Sequence, residues 1–417
     1  MLVRKAYKFR LYPNQEQQAM LAVQFGHARF VYNYFLQKRQ EYYEETGKGL
    51  HYRQTADLLT RLKQDPSHEW LKDADSQVLQ QKRKDLDRAY KNFFEKRGKY
   101  PRFRNRRAKQ SIRYPQRVKV DLDARRSYLP KVGWVKTIFH RSLEGQLKNV
   151  TVSRNKSGRY FASFQVEMEI PDPVYEGGEN GIDLGLKYFA ALSDGSKIAN
   201  PQHMIQAERR LRRLQRSLSR RQKGSQGWER QRRLVARQHE CVANSRADFQ
   251  HKMSRNLVED HRLLAIEDLN IKGMVRNRRL AKKISDAGWG QFIRKLNYKG
   301  MWYGCDLLLI DRWYPSSKTC SSCETVMETM PLNVREWECP ICETLHDRDI
   351  NAAKNILKQT TVGTTGSHAG GVHVRPVVRK QAGTAKPEAQ QLAAGHVLSR
   401  PKKKYSYTNL AVSNIIS

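Results

Sequence analysis

The chain has 417 residues, enough for two or three domains and a sizeable core. Its 78 Lys and Arg outnumber 41 Asp and Glu, and the formal charge of +37 is spread along most of the length, which points to a polyanionic partner, most simply nucleic acid. No apolar run approaches the roughly 20 residues of a membrane-spanning helix, and Met1-Leu2-Val3-Arg4-Lys5 lacks the apolar core of a signal peptide; a soluble, cytoplasmic protein without a membrane partner is expected.

Residues 2–12 alternate loosely and stop at Pro13, as a strand does. Asn14 and Gln17 have the spacing of a reciprocal helix cap. Leu21, Phe25, Ala28, Val31 and Phe35 then recur at helical spacing until Gly47 and Gly49 break the run. Further helices are expected at 54–62 and 76–96, the second with Val78, Leu79, Leu86, Ala89 and Phe93 on its apolar face and Gly98 as its stop. In the segment KYPRFRNRR, Pro101 disfavours helix and cations alternate with rings. Arg102, Phe103 and Arg104 are candidates there for phosphate neutralisation and base stacking, against the plainer reading of a solvated basic loop.

From 117 to 170 the apolar period changes to two, with a hairpin expected across Asn155-Lys156-Ser157-Gly158. If strand 2–12 joins this β module, the helices between are an insertion in a small barrel. Residues 171–180 read as a linker. A new module opens at Gly181 with a short apolar strand carrying Asp183. Residues 206–259 are helical and overwhelmingly basic, split into an antiparallel pair at Gly224-Ser225-Gln226-Gly227; ordinary solvated faces mix signs more evenly. A buried strand ends in Glu267-Asp268, residues 271–286 read as a basic, irregular and mobile flap, 290–303 as a helix, and 307–310 as another buried strand. Residues 360–417 lack any period and read as disordered. No internal repeat is evident.

Four of the six cysteines form two Cys-x-x-Cys pairs, Cys320/Cys323 and Cys339/Cys342; Cys241 and Cys305 stand alone. In a reducing compartment this pattern argues for metal over disulfides. Two such turns close a tetrahedron of thiolates around one Zn²⁺, and four sulfurs leave no open position, so the zinc would be structural. His346 lies nearby but is not needed as a ligand. Carboxylates inside apolar strands are costly unless paired or on a metal. Asp183, one of Glu267 and Asp268, and one of Asp347 and Asp349 could converge on two Mg²⁺ ions for phosphodiester hydrolysis. Strand parity puts Glu267 and Asp268 on opposite faces without choosing between them, and local grounds do not separate Asp347 from Asp349.

Over residues 1–357 the chain resembles the TnpB proteins, transposon-encoded RNA-guided nucleases related to type V CRISPR effectors. The matching pieces include Phe9-Arg10-Leu11-Tyr12-Pro13, Arg29-Phe30-Val31-Tyr32-Asn33, Gly181-Ile182-Asp183-Leu184-Gly185, Ile266-Glu267-Asp268-Leu269, Ser285-Asp286-Ala287-Gly288-Trp289, Pro315-Ser316-Ser317-Lys318-Thr319-Cys320 and Asp347-Arg348-Asp349-Ile350-Asn351-Ala352-Ala353. The resemblance implies a multidomain α+β fold. A β-barrel wedge domain (1–12 and 111–175) is interrupted by a helical recognition insertion (13–110). A RuvC-like nuclease of the RNase H fold (181–314) follows, then a zinc ribbon (315–345), the final RuvC-like helix (346–358) and a disordered tail (359–417). It selects Glu267 and Asp349 as the partners of Asp183 and implies a monomer that binds a guide RNA from the transposon end and cuts target double-stranded DNA. Tyr52, Ser76 and Gln80 resemble positions that face the short DNA motif beside the target. An RNA-guided repressor without cleavage and a transposase acting directly on transposon ends are the competing readings.

Overall fold

The alternation at the N-terminus becomes strand β1 (Leu2–Tyr12), which buries Val3, Phe9 and Leu11 on one face. The computed structural model describes residues 1–107, 109–331, 333–362 and 375–376. Three helices follow: α1 (Gln15–Thr46), α2 (Tyr52–Gln64) and α3 (Ser76–Phe94). The expected cap of α1 is present, with Asn14 Oδ1 accepting from Gln17 N at 2.8 Å and Gln17 Oε1 accepting from Asn14 N at 3.1 Å. Six strands come next: β2 (Gln110–Tyr114), β3 (Lys119–Asp121), β4 (Arg126–Leu129), β5 (Gly133–Ile138), β6 (Gln146–Arg154) and β7 (Tyr160–Glu169). The β6–β7 turn is the expected one, with Gly158 at φ +84° and its N–H donating to Asn155 O.

β1 inserts between β7 and β5, antiparallel to both, in a sheet of order β2-β6-β7-β1-β5-β4-β3. The three helices are therefore an insertion into this sheet. Among the described residues β2 and β3 do not pair with each other, so the expected barrel is a curled sheet with two short edges. Short edge strands leave little for another chain to pair with. Helix α1 serves two cores. Leu21, Phe25 and Ala28 pack on the sheet with Phe9, Leu11 and Phe164, while Val31, Tyr32, Phe35 and Leu36 meet Leu59, Leu71, Leu79 and Leu86.

The second module contains β8 (Gly178–Asp183), β9 (Tyr188–Leu192), β10 (Lys197–Ala199), α4 (His203–Ser219), α5 (Gln226–Asp260) and β11 (His261–Glu267). After these come α6 (Ile271–Met274), α7 (Ala281–Ala287), α8 (Trp289–Tyr303) and β12 (Asp306–Ile310). A small hairpin, β13 (Glu336–Glu338) and β14 (Leu345–Asp347), leads into α9 (Arg348–Val362); β15 (Arg375–Pro376) pairs with β12. The sheet order is β10-β9-β8-β11-β12-β15, with β9 antiparallel to β8 and β11 parallel to both β8 and β12. Side chains alternate across β11. Leu264 and Ile266 share a core with Leu257 of α5 and Phe292 of α8, whereas Ala265 packs with Ile356 of α9.

Three sequence expectations shift. β8 starts at Gly178, inside the expected linker, because Gly178 and Glu179 pair with β11, a partner some 80 residues away (261 − 178 = 83). Residues 271–286 are only partly irregular: the short helices α6 and α7 flank turns at 275–280, and Ile284 and Ala287, three residues apart on one face, are buried. Lys282 and Lys283, just before this pair, masked that period. α9 runs to Val362, past the expected end at 358, through the β-branched Thr360 and Thr361. Apart from this helix end and β15, the tail expected to be disordered lies outside the described residues.

α9 rests directly on β8. A Cβ added at Gly181 would lie 2.0 Å from Ala353 O and 2.9 Å from Leu357 N, both backbone atoms that cannot swing away. Gly181→Ala should therefore destabilise this module by about 1–3 kcal/mol through overpacking, read as a lower denaturant midpoint. The same substitution at Gly195, whose added Cβ meets nothing within 4 Å, should cost only the strain of its φ of +92°.

Candidate functional site

β8 ends at Asp183 and β11 at Glu267. These are adjacent parallel strands in which Ile182 lies opposite Ile266, so the two carboxylates leave the sheet side by side at its C-terminal edge. α9 brings Asp349 in its first turn. Burial, then the negative charges of Glu267 and Asp349, push Asp183 up to about 8, with Arg348 and Arg335 opposing the shift. Burial also raises Glu267, although the Ser316 hydroxyl donates to its Oε1. Asp349 accepts from Arg335 at 3.2 Å.

The rival carboxylates have other partners. Asp268 pairs with Arg312 at the surface. Asp347 Oδ1 accepts the backbone N–H groups of Asp349 and Ile350, both at 3.1 Å, and its other oxygen pairs with Lys197. Asp347 is thus the N-terminal cap of α9, a job that helix start requires. Asp183, Glu267 and Asp349 present oxygen donors only, a set that suits a hard divalent cation such as Mg²⁺. A carboxyl pushed up by burial and then by two neighbouring negative charges also sits in a site short of positive charge. The three are near neighbours but not drawn together: among the described residues the one compact cluster of metal-ligating side chains is formed by the cysteines.

In that cluster all four Sγ atoms lie within 4.8 Å of one another, with Cys320–Cys342 at 3.6 Å and Cys323–Cys339 at 3.5 Å. A tetrahedron with metal–sulfur bonds of about 2.3 Å has edges of about 3.8 Å, so the cluster could hold a zinc ion. The two knuckles are copies of one design, Cys-x-x-Cys-Glu-Thr, which the sequence reading overlooked. In each, the first Cys O accepts from the Glu N–H, at 2.9 Å in one copy and 2.8 Å in the other, and its N–H donates to the Thr carbonyl. Glu324 and Glu343 take φ of +63° and +53°, and the Thr325 and Thr344 hydroxyls each lie 3.3 Å from the second sulfur. The Thr325 contacts pull Cys323 down to about 6, favouring the thiolate a metal needs. His346 sits outside the cluster with Nε2 3.0 Å from Cys320 Sγ.

The candidate nucleic-acid contacts fall in two places. Ser76 and Gln80 are exposed one turn apart on α3; Arg83, a turn further, stacks its guanidinium 4.0 Å from the centre of the Tyr52 ring. Arg102 and Phe103 are exposed, but Arg104 is committed to the fold: its guanidinium lies 3.9 Å from the Tyr32 ring centre and its backbone is clasped by the Asn33 amide. Arg335, Ser316, Asn351 and Asn355 escaped the sequence reading. The last two had a signal, being buried amides four residues apart on the apolar face of α9.

Comparison with known proteins places this helix–sheet module, with its neighbouring carboxylates and four-cysteine cluster, in a family. Family profiles match residues 163–278 ("Probable transposase", of the OrfB group of IS605-type elements), 289–356 ("Cas12f1-like, TNB domain") and 1–48 ("Helix-turn-helix domain"). Residues 1–48 fold here as a strand and one long helix. A Streptomyces pristinaespiralis protein named "Putative RNA-guided DNA endonuclease" is 39% identical over 399 residues, covering 94% of this chain and 98% of the relative. Escherichia coli K12 "Putative RNA-guided DNA endonuclease InsQ" is 37% identical over 369 residues, 85% of this chain and 91% of the relative. A solved chain in a Cas12f1–sgRNA–target DNA complex aligns with TM-score 0.45 and 12% identity, covering 85% of this chain and 98% of that one. The chain belongs to the TnpB-like OrfB family of insertion-sequence proteins.

The raised Asp183 makes a linkage prediction. Its folded value of about 8 exceeds the ordinary value of 3.8, so stability present at low pH is lost as pH rises between them. Without divalent metal, Asp183→Asn should raise the melting temperature at pH ~8 and lose that advantage towards pH ~4, where the native carboxyl is also neutral; equal gains at both pH values would contradict the assignment.

Proposed function

We propose that the chain is an RNA-guided DNA endonuclease of an insertion sequence, hydrolysing phosphodiesters at Asp183, Glu267 and Asp349. The observation that carries this reading is Asp183 at the C-terminal edge of the second sheet, beside Glu267 on the adjacent parallel strand and within electrostatic reach of Asp349. Five strands in the order β10-β9-β8-β11-β12, with only the β9 strand reversed relative to β8, match the RNase H topology and support a RuvC-like domain. The names of the relatives support RNA guidance. In this reading the first sheet is the wedge domain, residues 13–110 the recognition insertion and residues 315–345 the ribbon.

Asp183, Glu267 and Asp349 would hold Mg²⁺, which when bound supplies activation of water and stabilisation of the leaving oxygen. Asp183 gives up its proton to become a ligand. Ser316 fixes one oxygen of Glu267. Arg335, paired with Asp349, would offer a cation to a phosphodiester bound at these carboxylates. Cys320, Cys323, Cys339 and Cys342 would hold one Zn²⁺ with no open position, a structural role. The arginines of α4 and α5 supply counter-charge for guide RNA and target double-stranded DNA. Tyr52, Ser76, Gln80, Arg102 and Phe103 are further contacts, and one chain serves one guide.

The description "Probable transposase" keeps a second reading open, direct action on transposon ends. Sequencing of RNA copurified with the protein separates the two: a discrete transposon-end RNA is expected, and its absence favours the transposase. With that RNA, the protein should cut plasmids bearing a complementary target beside a suitable motif. Asp183→Ala should abolish cutting while sparing RNA-dependent DNA binding; normal cutting by the variant would refute the carboxylate assignment. Replacing Cys320 and Cys323 by Ser should remove one zinc per chain, measured by elemental analysis, and lower the stability of the second module; an undiminished zinc content would refute the ribbon reading.

A further inference from the structure

We infer that Ser316 is a positioning residue for Glu267, and that Ser316, Asn351 and Asn355 couple the four-cysteine ribbon to the carboxylate cluster. This rests on the metal-ion reading of the carboxylates proposed above.

Ser316 is buried, and its hydroxyl donates to Glu267 Oε1. Its backbone does a different job: the carbonyl accepts from Asn355 Nδ2 at 2.8 Å. The same amide donates to Thr319 O at 2.6 Å, where Asn351 Nδ2 also donates, at 2.7 Å. Asn351 Oδ1 accepts from Ser321 N at 2.9 Å. Thr319 and Ser321 flank Cys320, the fully buried first cysteine of the ribbon. Both asparagines are 1% exposed and lie one turn apart on α9, with Asn351 two residues after Asp349. A continuous hydrogen-bonded path therefore runs from the first knuckle through α9 to Ser316 and Glu267.

Buried amides hold their partners tightly because an unsatisfied donor there costs about 1–3 kcal/mol. The path fixes two of the three carboxylates from one side: Asp349 through the helix that carries it, and Glu267 through the serine hydroxyl. Stapling the 315–321 segment needs only the Ser316 carbonyl. The hydroxyl adds nothing to that staple and is spent on Glu267, holding one oxygen and leaving the other for a cation. Groups that orient a metal-binding carboxylate in this way commonly control metal affinity by about 10- to 100-fold.

The test is Mn²⁺ binding to the nucleic-acid-free protein by calorimetry, with zinc content and melting temperature measured on the same samples. Ser316→Ala should weaken Mn²⁺ binding about 10-fold or more while zinc stays at one per chain, and Ser316→Thr, which keeps the hydroxyl, should recover most of the affinity. Asn355→Ala should weaken Mn²⁺ binding too, and the double variant should be little worse than the weaker single one, since both act through one path. Ser316→Ala binding within twofold of the native protein, effects that multiply in the double variant, or zinc lost together with Mn²⁺ would each overturn the coupling. If the native protein shows no Mn²⁺ binding that Asp183→Ala removes, the carboxylate reading itself falls, and the coupling with it.

Discussion

The contact on which the second module depends is that of a helix backbone against a strand. Gly181 has no side chain, so α9 sits on β8 at backbone distance, with Ala352 and Ala353 fully buried beneath it. The helix is therefore registered against the strand, and Asp349, one turn before Ala353, comes within electrostatic reach of Asp183. A larger residue at either surface would lift the helix and open the carboxylate cluster. The cap on Asp347 and its ion pair with Lys197 of β10 fix where the helix begins, so the placement of Asp349 is set at both ends of one helical turn.

Charge is the second constraint. The chain carries a large positive excess, yet its three proposed ligands crowd negative charge at one sheet edge, opposed by Arg335 and Arg348. The basic excess is greatest in α4 and the first half of α5, where Glu208 and Glu229 neutralise only part of the arginines, whereas Arg246, Lys252 and Arg255 further along α5 pair with Asp286, Asp248 and Glu259. Repulsion within such a helix pair is relieved by a polyanion. The carboxylate edge and the basic helices thus have opposite needs, one for a cation and one for phosphate, and the function proposed above would meet both.

What the sequence revealed depended on how local the cause was. The Asn14–Gln17 cap, the Asn155–Gly158 turn and both cysteine knuckles are decided within a few residues, and all appear as read. Asp347 is occupied in part by its cap on the next turn and in part by Lys197, 150 residues away, and the second of these no local pattern encodes. The strand at Gly178 depends on β11, and the burial of α7 on a single Ile–Ala pair among lysines. Asn351 and Asn355 supply donors to the 315–321 segment, a demand set more than 30 residues away in the chain. Ser316 was part of a quoted motif, but its partner Glu267 lies 49 residues earlier. The candidate carboxylates were legible as a set of five; which of them lie within reach of Asp183 was not.

The position of β1 has a consequence for how the chain comes off the ribosome. Its register runs from Leu2 opposite Glu169 to Leu11 opposite Tyr160, so the first strand made pairs with the last strand of its sheet. Until residue 169 has emerged, β1 has neither that neighbour nor, before residue 138, its other neighbour β5. An unpaired strand with Val3, Phe9 and Leu11 exposed is an aggregation hazard during synthesis. The helices between close a core of their own around Val31, Phe35 and Leu79, made almost entirely from contacts within residues 31–86. That core can form early and hold the chain, through α1, in the orientation that the returning strands require. The order of synthesis thus favours a helical insertion that folds first and a sheet that assembles around its own N-terminus last.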